Sequence, residues 1–245
     1  MAKPKYFYEG FYKSFAEAAP VEKGFAGNRR LESLQARLAS VRSADWDTQE
    51  PLDSTLLAVL SKALSQHQRT FRLLDVGGGL GATCFWLSKT LGEDFGRLNY
   101  SVLDIPAVID HANSTNLQES LGNLSFHKEF PAESFDLVNF GSSLHYFESP
   151  EVIIATAAKT NATHLVFTRT PVCQKGTFVT LQNYYESRIP VTVLGIDDLN
   201  AWCGEFGFTL LSESASAGNT EPFPISGIPE DYRLTFASDL VFGKS

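Results

Sequence analysis

The 245-residue chain is short of several things, and each shortage removes a class of protein. It has three cysteines, Cys84, Cys173 and Cys203. They are odd in number, far apart and without C-x-x-C spacing, so neither a disulfide framework nor a thiolate zinc site is expected, and the thiols read as buried and reduced. Its five histidines show no H-x-x-x-H or H-x-x-E-H pattern, so no metal is expected. Basic residues never cluster beyond Arg29-Arg30, and 28 acidic against 20 basic residues leave a net charge of −8. That balance argues against a nucleic-acid or anionic-membrane footprint, because phosphate binding draws on massed Lys and Arg, and it suits a small acceptor. Apolar runs fall far short of the roughly 20 residues needed to cross a bilayer. The segment from Met1 to Lys5 lacks the layout of a signal peptide, so the expected location is the cytoplasm. Oligomeric state leaves no mark in the sequence.

What is present fits one α/β domain, since roughly 200–250 residues can form a single core. Residues 1–70 read as a helical cap or lid. Ser14-Phe15-Ala16-Glu17 has the form of a capping box, Leu31, Leu34, Leu38 and Val41 recur at helical spacing after Asn28, and Leu56, Leu57, Leu60 and Leu64 share one face of a third helix. Residues 71–245 read as the core, in which short apolar runs alternate with helical stretches as in a parallel sheet covered on both faces. Strands are predicted at 71–76, 100–104, 124–127, 135–140 and 164–168. Helices are predicted from Ala82, Pro106, Pro150 and Asp197, the last ending at Gly207. Segments 208–214 and 232–243 follow one another without a helix between them, which implies an antiparallel hairpin at the end.

The segment Leu73-Leu74-Asp75-Val76-Gly77-Gly78-Gly79-Leu80-Gly81 runs from an apolar strand through an acidic residue into alternating glycines and then a helix. Such a loop lets a bulky ligand lie against bare backbone near a helix N-terminus. Gly77, Gly79 and Ala82 also satisfy the dinucleotide fingerprint, so the glycines alone leave a nicotinamide or flavin ligand open. Three features favour S-adenosylmethionine. Asp75 precedes the glycines, where a carboxylate can attract ammonium and sulfonium charge. Asp104, followed by Ile105, ends the second strand, where a carboxylate accepts from ribose hydroxyls. The terminal antiparallel hairpin departs from a six-parallel-strand dinucleotide sheet. A Rossmann-like class I methyltransferase sheet of about seven strands, the last antiparallel, is therefore expected. Packing of helix on sheet by the glycines, and capping of the next helix by Asp104, are the plain alternatives.

Val102-Leu103-Asp104-Ile105-Pro106-Ala107-Val108 resembles the Asp-Leu-Pro-x-Val segment of small-molecule O-methyltransferases. The opening Tyr8-Glu9-Gly10-Phe11-Tyr12-Lys13-Ser14-Phe15-Ala16-Glu17-Ala18 is similar to the W-E-G-x-Y-x-S-W-E-E-A start of a family of bacterial methyltransferases often encoded among polysaccharide-biosynthesis genes. Thr168-Arg169-Thr170-Pro171 and Leu181-Gln182 resemble that family's Asp-Arg-Thr-Pro and Val-Gln segments. Thr168 stands where the family tends to have aspartate, and Tyr8 where it tends to have tryptophan. The resemblance implies that Asp104 holds a ribose and that Glu129 and Phe130 meet adenine, and it suggests a sugar hydroxyl as acceptor.

After the fourth strand, Gly141 and Ser142 are placed to meet the methionine end of the cofactor. His145 is the candidate catalytic base, its ordinary pKa near 6.5 suiting proton removal at neutral pH. A packed, inert histidine is the competing reading, and methyl transfer from a sulfonium needs little beyond alignment. Gln182, Tyr184, Tyr185 and Arg188, in the segment 172–194, are candidates to contact the acceptor, and Arg169 is a candidate partner for an anionic group on it. A non-catalytic binding protein and a nicotinamide-dependent oxidoreductase remain open, although no Tyr-x-x-x-Lys hydride site is present.

Overall fold

The computed structural model describes residues 7–19, 28–43, 52–184, 187–216 and 222–244. In chain order the elements are β1 (Tyr8–Tyr12), α1 (Asn28–Ser43), α2 (Ser54–Gln66), β2 (Phe71–Val76), α3 (Ala82–Thr90), β3 (Leu98–Leu103), α4 (Pro106–Ser114), β4 (Leu124–His127), β5 (Leu137–Gly141) and α5 (Pro150–Ala158). There follow β6 (His164–Cys173), β7 (Phe178–Tyr184), β8 (Ser187–Gly195), α6 (Ile196–Gly204), β9 (Phe208–Ala215), β10 (Ile225–Ser226) and β11 (Ala237–Lys244).

Seven strands form the core sheet in the order β4-β3-β2-β5-β6-β11-β9. The first five run parallel, and β11 is antiparallel to both β6 and β9. Strands buried on both faces are apolar throughout, as in β2, where Leu73, Leu74 and Val76 are all buried. One core cluster joins α1, α2 and α3 to one face through Leu38, Leu56, Leu60, Leu64 and Trp86. A second joins α5 and α6 to the other through Ile154, Leu199 and Phe208. Leu56, Leu60 and Leu64 are wholly buried, worth about 1.5–3 kcal/mol each, so α2 is bound firmly to the sheet. Asp53 caps it, accepting from the Leu56 N–H at 2.9 Å.

Two expectations need correction. Half of the capping box at Ser14 forms, with the Glu17 N–H donating to Ser14 Oγ at 3.2 Å while the Glu17 carboxylate accepts from the Lys13 N–H at 2.8 Å, but it closes a single turn and starts no helix. That turn sets Phe15 and Ala18 on Val179 and Leu181, and the residues before it form β1. The N-terminal region therefore contributes a strand as well as two helices. The segment 172–194 carries two unforeseen strands. The chain of β6 runs on past the core, and its last residues pair in parallel with β8, Val172 opposite Leu194. There a second sheet begins, ordered β8-β7-β1-β10, with β7 antiparallel to both β8 and β1. Both faces of β7 are covered, so its sequence shows no polar alternation, and Pro190 inside β8 opposite Leu181 reads as a strand breaker.

Candidate functional site

A cleft of about 610 Å³ crosses the carboxyl edge of the parallel strands, where open α/β sheets bind ligands. The strand order gives its layout: Lys128, Glu129 and Phe130 after β4, then Asp104 and Ile105 after β3, Gly77 after β2, Gly141 and Ser142 at β5, and finally Tyr146 and Tyr184 beside the second sheet. Its opposite wall is α1, which presents Arg30, Ser33, Leu34 and Arg37. These stand at i, i+3, i+4 and i+7, one face of a helix.

The glycine loop is held by the sheet. The Gly77 N–H donates to the Leu103 carbonyl at 2.7 Å, extending the β2–β3 ladder. Gly77 has φ +79°, and a Cβ there would stand 2.5 Å from Ser143 Cβ. Gly79 has φ +62° and a Cβ on it would strike Leu34 at 2.7 Å, so the close approach of α1 requires glycine.

Asp104 is the most heavily engaged acceptor in the cleft. Its carboxylate accepts from the Gly79 N–H at 2.9 Å and the Ile105 N–H at 2.7 Å. Arg30 Nη2 bridges both oxygens at 2.9 and 3.1 Å. Only 1% of the Asp104 side chain is exposed, so a ligand hydroxyl reaches these oxygens by sharing them with Arg30 or displacing it.

Eight of the residues named from sequence line the cleft: Gly77, Asp104, Ile105, Glu129, Phe130, Gly141, Ser142 and Tyr184. Others do not, and their roles change. Asp75 lies buried beneath the loop, accepting from the Tyr100 hydroxyl at 2.6 Å and Asn139 Nδ2 at 2.8 Å. Burial pushes its pKa up to about 6, against those two hydrogen bonds and with the charge of Asp53. It holds β2, β3 and β5 together and is not a counter-ion for the cleft. Gly78 packs over the Asp75 carboxylate, and Gly79 is covered by Leu34.

His145 is 2% exposed and lies outside the cleft wall. Burial, helped by the charge of Arg169, lowers its pKa to about 3. Its Nδ1 meets no hydrogen-bond partner among the described residues, and its ring packs on Tyr146 with centroids 4.1 Å apart. This placement favours the packed, inert histidine over the catalytic base. Arg169 donates from Nη1 to the Leu52 carbonyl at 3.2 Å and to Asp53 at 3.3 Å, tying β6 to α2. Gln182 stands behind the wall and accepts from the Tyr146 hydroxyl at 2.9 Å. Arg188 pairs with Glu9 at 3.7 Å. Tyr185 lies outside the described residues. Among these residues no group of three metal-ligating side chains occurs, and no helix is long and apolar enough to cross a membrane.

Sequence reasoning missed Arg30 and Arg37, whose stripe reads as a solvated helix face, and Tyr146. Helical spacing sets Arg30, Ser33, Leu34 and Arg37 on one face, but only the packing of α1 turns that face toward the cleft.

Residues 74–161 match the family model of a methyltransferase domain. No curated protein matches the chain. Among solved structures, the magnesium protoporphyrin IX methyltransferase of Synechocystis PCC 6803, with bound S-adenosylhomocysteine, aligns over 91% of this chain and 100% of its own at 13% identity and a TM-score of 0.55. An amino pentose methyltransferase of Micromonospora echinaspora, with bound S-adenosylmethionine, aligns over 86% and 97% at 14% identity and 0.53. The 1,6-didemethyltoxoflavin-N1-methyltransferase of Burkholderia thailandensis aligns over 93% and 94% at 15% identity and 0.51. The fold is the Rossmann-like one of the class I methyltransferases.

Proposed function

We propose that the chain is an S-adenosylmethionine-dependent methyltransferase of the cytoplasm, acting on a small-molecule or sugar-like acceptor at oxygen. The observation that carries this reading is Asp104, a carboxylate at the end of β3 bonded to the N–H of the glycine loop and facing the cleft. A ribose needs an acceptor pair at that place, and the bare loop and Ile105 leave room for a nucleoside beside it. The antiparallel β11 favours this cofactor over a dinucleotide. The amino pentose methyltransferase of the same fold and the resemblance of the first residues to a polysaccharide-linked family support a sugar-like acceptor.

When bound, the cofactor supplies an electrophilic methyl group on a sulfonium. The chain's own residues then act by placement. Phe130 and Ile105 offer apolar surface to a base, Glu129 an acceptor for an amino group, and Gly141 and Ser142 a close backbone approach. Tyr146, fixed by Gln182, and Tyr184 form the wall against which an acceptor would lie. With His145 buried and neutral, alignment and exclusion of water supply the rate.

Calorimetric titration of S-adenosylmethionine, S-adenosylhomocysteine and NADH against the protein tests the reading. Saturable binding of the first two is expected, weakened at least about tenfold by Asp104→Ala, which loses hydrogen bonds to a charged acceptor. Binding of NADH instead would overturn it. Cofactor binding without turnover across a broad panel of acceptors would point to a non-catalytic protein.

A further inference from the structure

Asp104 is the acceptor assigned to the ribose, yet its lone pairs are already spent. A carboxylate offers about four acceptor positions, two on each oxygen. Oδ1 accepts from the Ile105 N–H at 2.7 Å and from Arg30 Nη2 at 2.9 Å. Oδ2 accepts from the Gly79 N–H at 2.9 Å and from the same Arg30 nitrogen at 3.1 Å. The two backbone bonds belong to the glycine loop and the end of β3, which the sheet holds in place. The two from Arg30 come from one atom of a long side chain, and they cover one position on each oxygen, the pair that a vicinal diol would take.

Arg30 is also the partner most easily given up. It stands in the first turn of α1, which holds no acidic residue and where the polarity of a helix favours negative charge over positive. The helix itself is seated farther along, by Leu38 and Val41 in the core and by Leu34 over Gly79, so the Arg30 side chain can leave without carrying α1 with it. That side chain is 17% exposed against 1% for Asp104, which gives the guanidinium a way out to water and the carboxylate none.

We propose that Arg30 is a built-in competitor for the ribose seat: its guanidinium and the 2′,3′-diol of the cofactor claim the same two acceptor positions of Asp104, and Arg30 yields when the nucleoside is seated. The inference rests on the cofactor reading above. Any ligand bearing that ribose binds against this competitor, so its observed affinity is the intrinsic one reduced by the fraction of molecules in which Arg30 has left. Methylated cofactor and demethylated product carry the same diol, and Arg30 weakens the hold on both alike. The contact thereby keeps the seat exchangeable from one turnover to the next.

The test sets this role against its opposite, in which Arg30 supports Asp104 for the ligand. S-adenosylhomocysteine and its 2′,3′-dideoxy analogue, which has no donor for Asp104, are titrated by calorimetry against the wild-type chain, Arg30→Met and Arg30→Gln, with thermal melting to check that each variant folds. Arg30→Met removes the donor and should bind S-adenosylhomocysteine about tenfold more tightly, as expected for a competitor that holds the seat in about nine molecules of ten. The dideoxy analogue should gain less than about twofold. Arg30→Gln, a neutral and weaker competitor, should fall between Arg30→Met and the wild type. Equal or weaker binding of S-adenosylhomocysteine by both variants overturns the proposal and makes Arg30 a support. An equal gain for the two ligands overturns it as well, since that reports only a wider cleft. Absence of S-adenosylhomocysteine binding in the wild type and both variants overturns the cofactor reading itself, whereas binding by the variants alone supports the competitor.

Discussion

At the β3–β4 end of the cleft the ligand-facing groups are fixed by the sheet itself, since the Gly77 N–H continues the β2–β3 ladder and the Gly79 N–H is spent on Asp104. At the opposite end the wall comes from side chains of separate elements, Tyr146 after β5 and Tyr184 at the end of β7, with the Tyr146 hydroxyl donating to Gln182 on β7. The first end leaves little freedom to what binds there. The second can change its side chains while the sheet stays intact. Such a division suits a protein with a constant cofactor and a particular acceptor.

The sharpest way to break this contrast is at the rigid end. Gly77→Ala imposes a left-handed backbone on a residue with a side chain, about 1–2 kcal/mol, and drives its Cβ against Ser143. Chemical denaturation should show a loss of about 3 kcal/mol or more once the overlap is added, and titration should show no S-adenosylhomocysteine binding.

A second test asks whether Asp75 belongs to the frame beneath the loop. Its carboxyl binds a proton more readily in the folded chain, at about 6, than at the ordinary aspartate value of 3.8. Stability from this group is therefore full below about pH 4 and is lost as pH rises to about 6, a change of roughly 3 kcal/mol. His145, lowered to about 3, acts with the opposite sign, losing stability as pH falls below about 6.5. The contribution of Asp75 is isolated by subtracting the stability of Asp75→Asn from that of the wild type across pH 4–7. A difference that does not fall between pH 4 and 6 would remove Asp75 from this role.

The smallest effect belongs to the adaptable end. Tyr146→Phe removes the hydroxyl's bond to Gln182, worth about 1 kcal/mol, and should leave S-adenosylhomocysteine affinity unchanged while altering KM for an acceptor once one is found. Equal damage to cofactor binding would erase the distinction between the two ends.

The same division governs what could be read from the sequence. Helices α3, α4 and α5 begin where expected because glycine or proline marks each start, at Gly81, Pro106 and Pro150. Strands β2 and β4 match because they are short apolar runs between such marks. Strands β7 and β8 were hidden, one covered on both faces and the other containing Pro190. Asp75 was misplaced for a related reason: in a parallel strand packed on both sides, position along the chain does not reveal whether a side chain faces ligand or core. Arg37 was missed because an arginine on an amphipathic helix ordinarily faces water, and only the tertiary position of α1 turns that face toward the cleft.

Strand β6 belongs to both sheets, pairing with β5 and β11 over its first part and with β8 at its tip. The hairpin of β7 and β8 thus leaves and rejoins one continuous beam without disturbing the order of the parallel strands. On the function proposed above, exchanging this segment would change the wall offered to the acceptor while the glycine loop and Asp104 kept their registration, and a graft of another hairpin at Cys173 and Gly195 would follow the same seam.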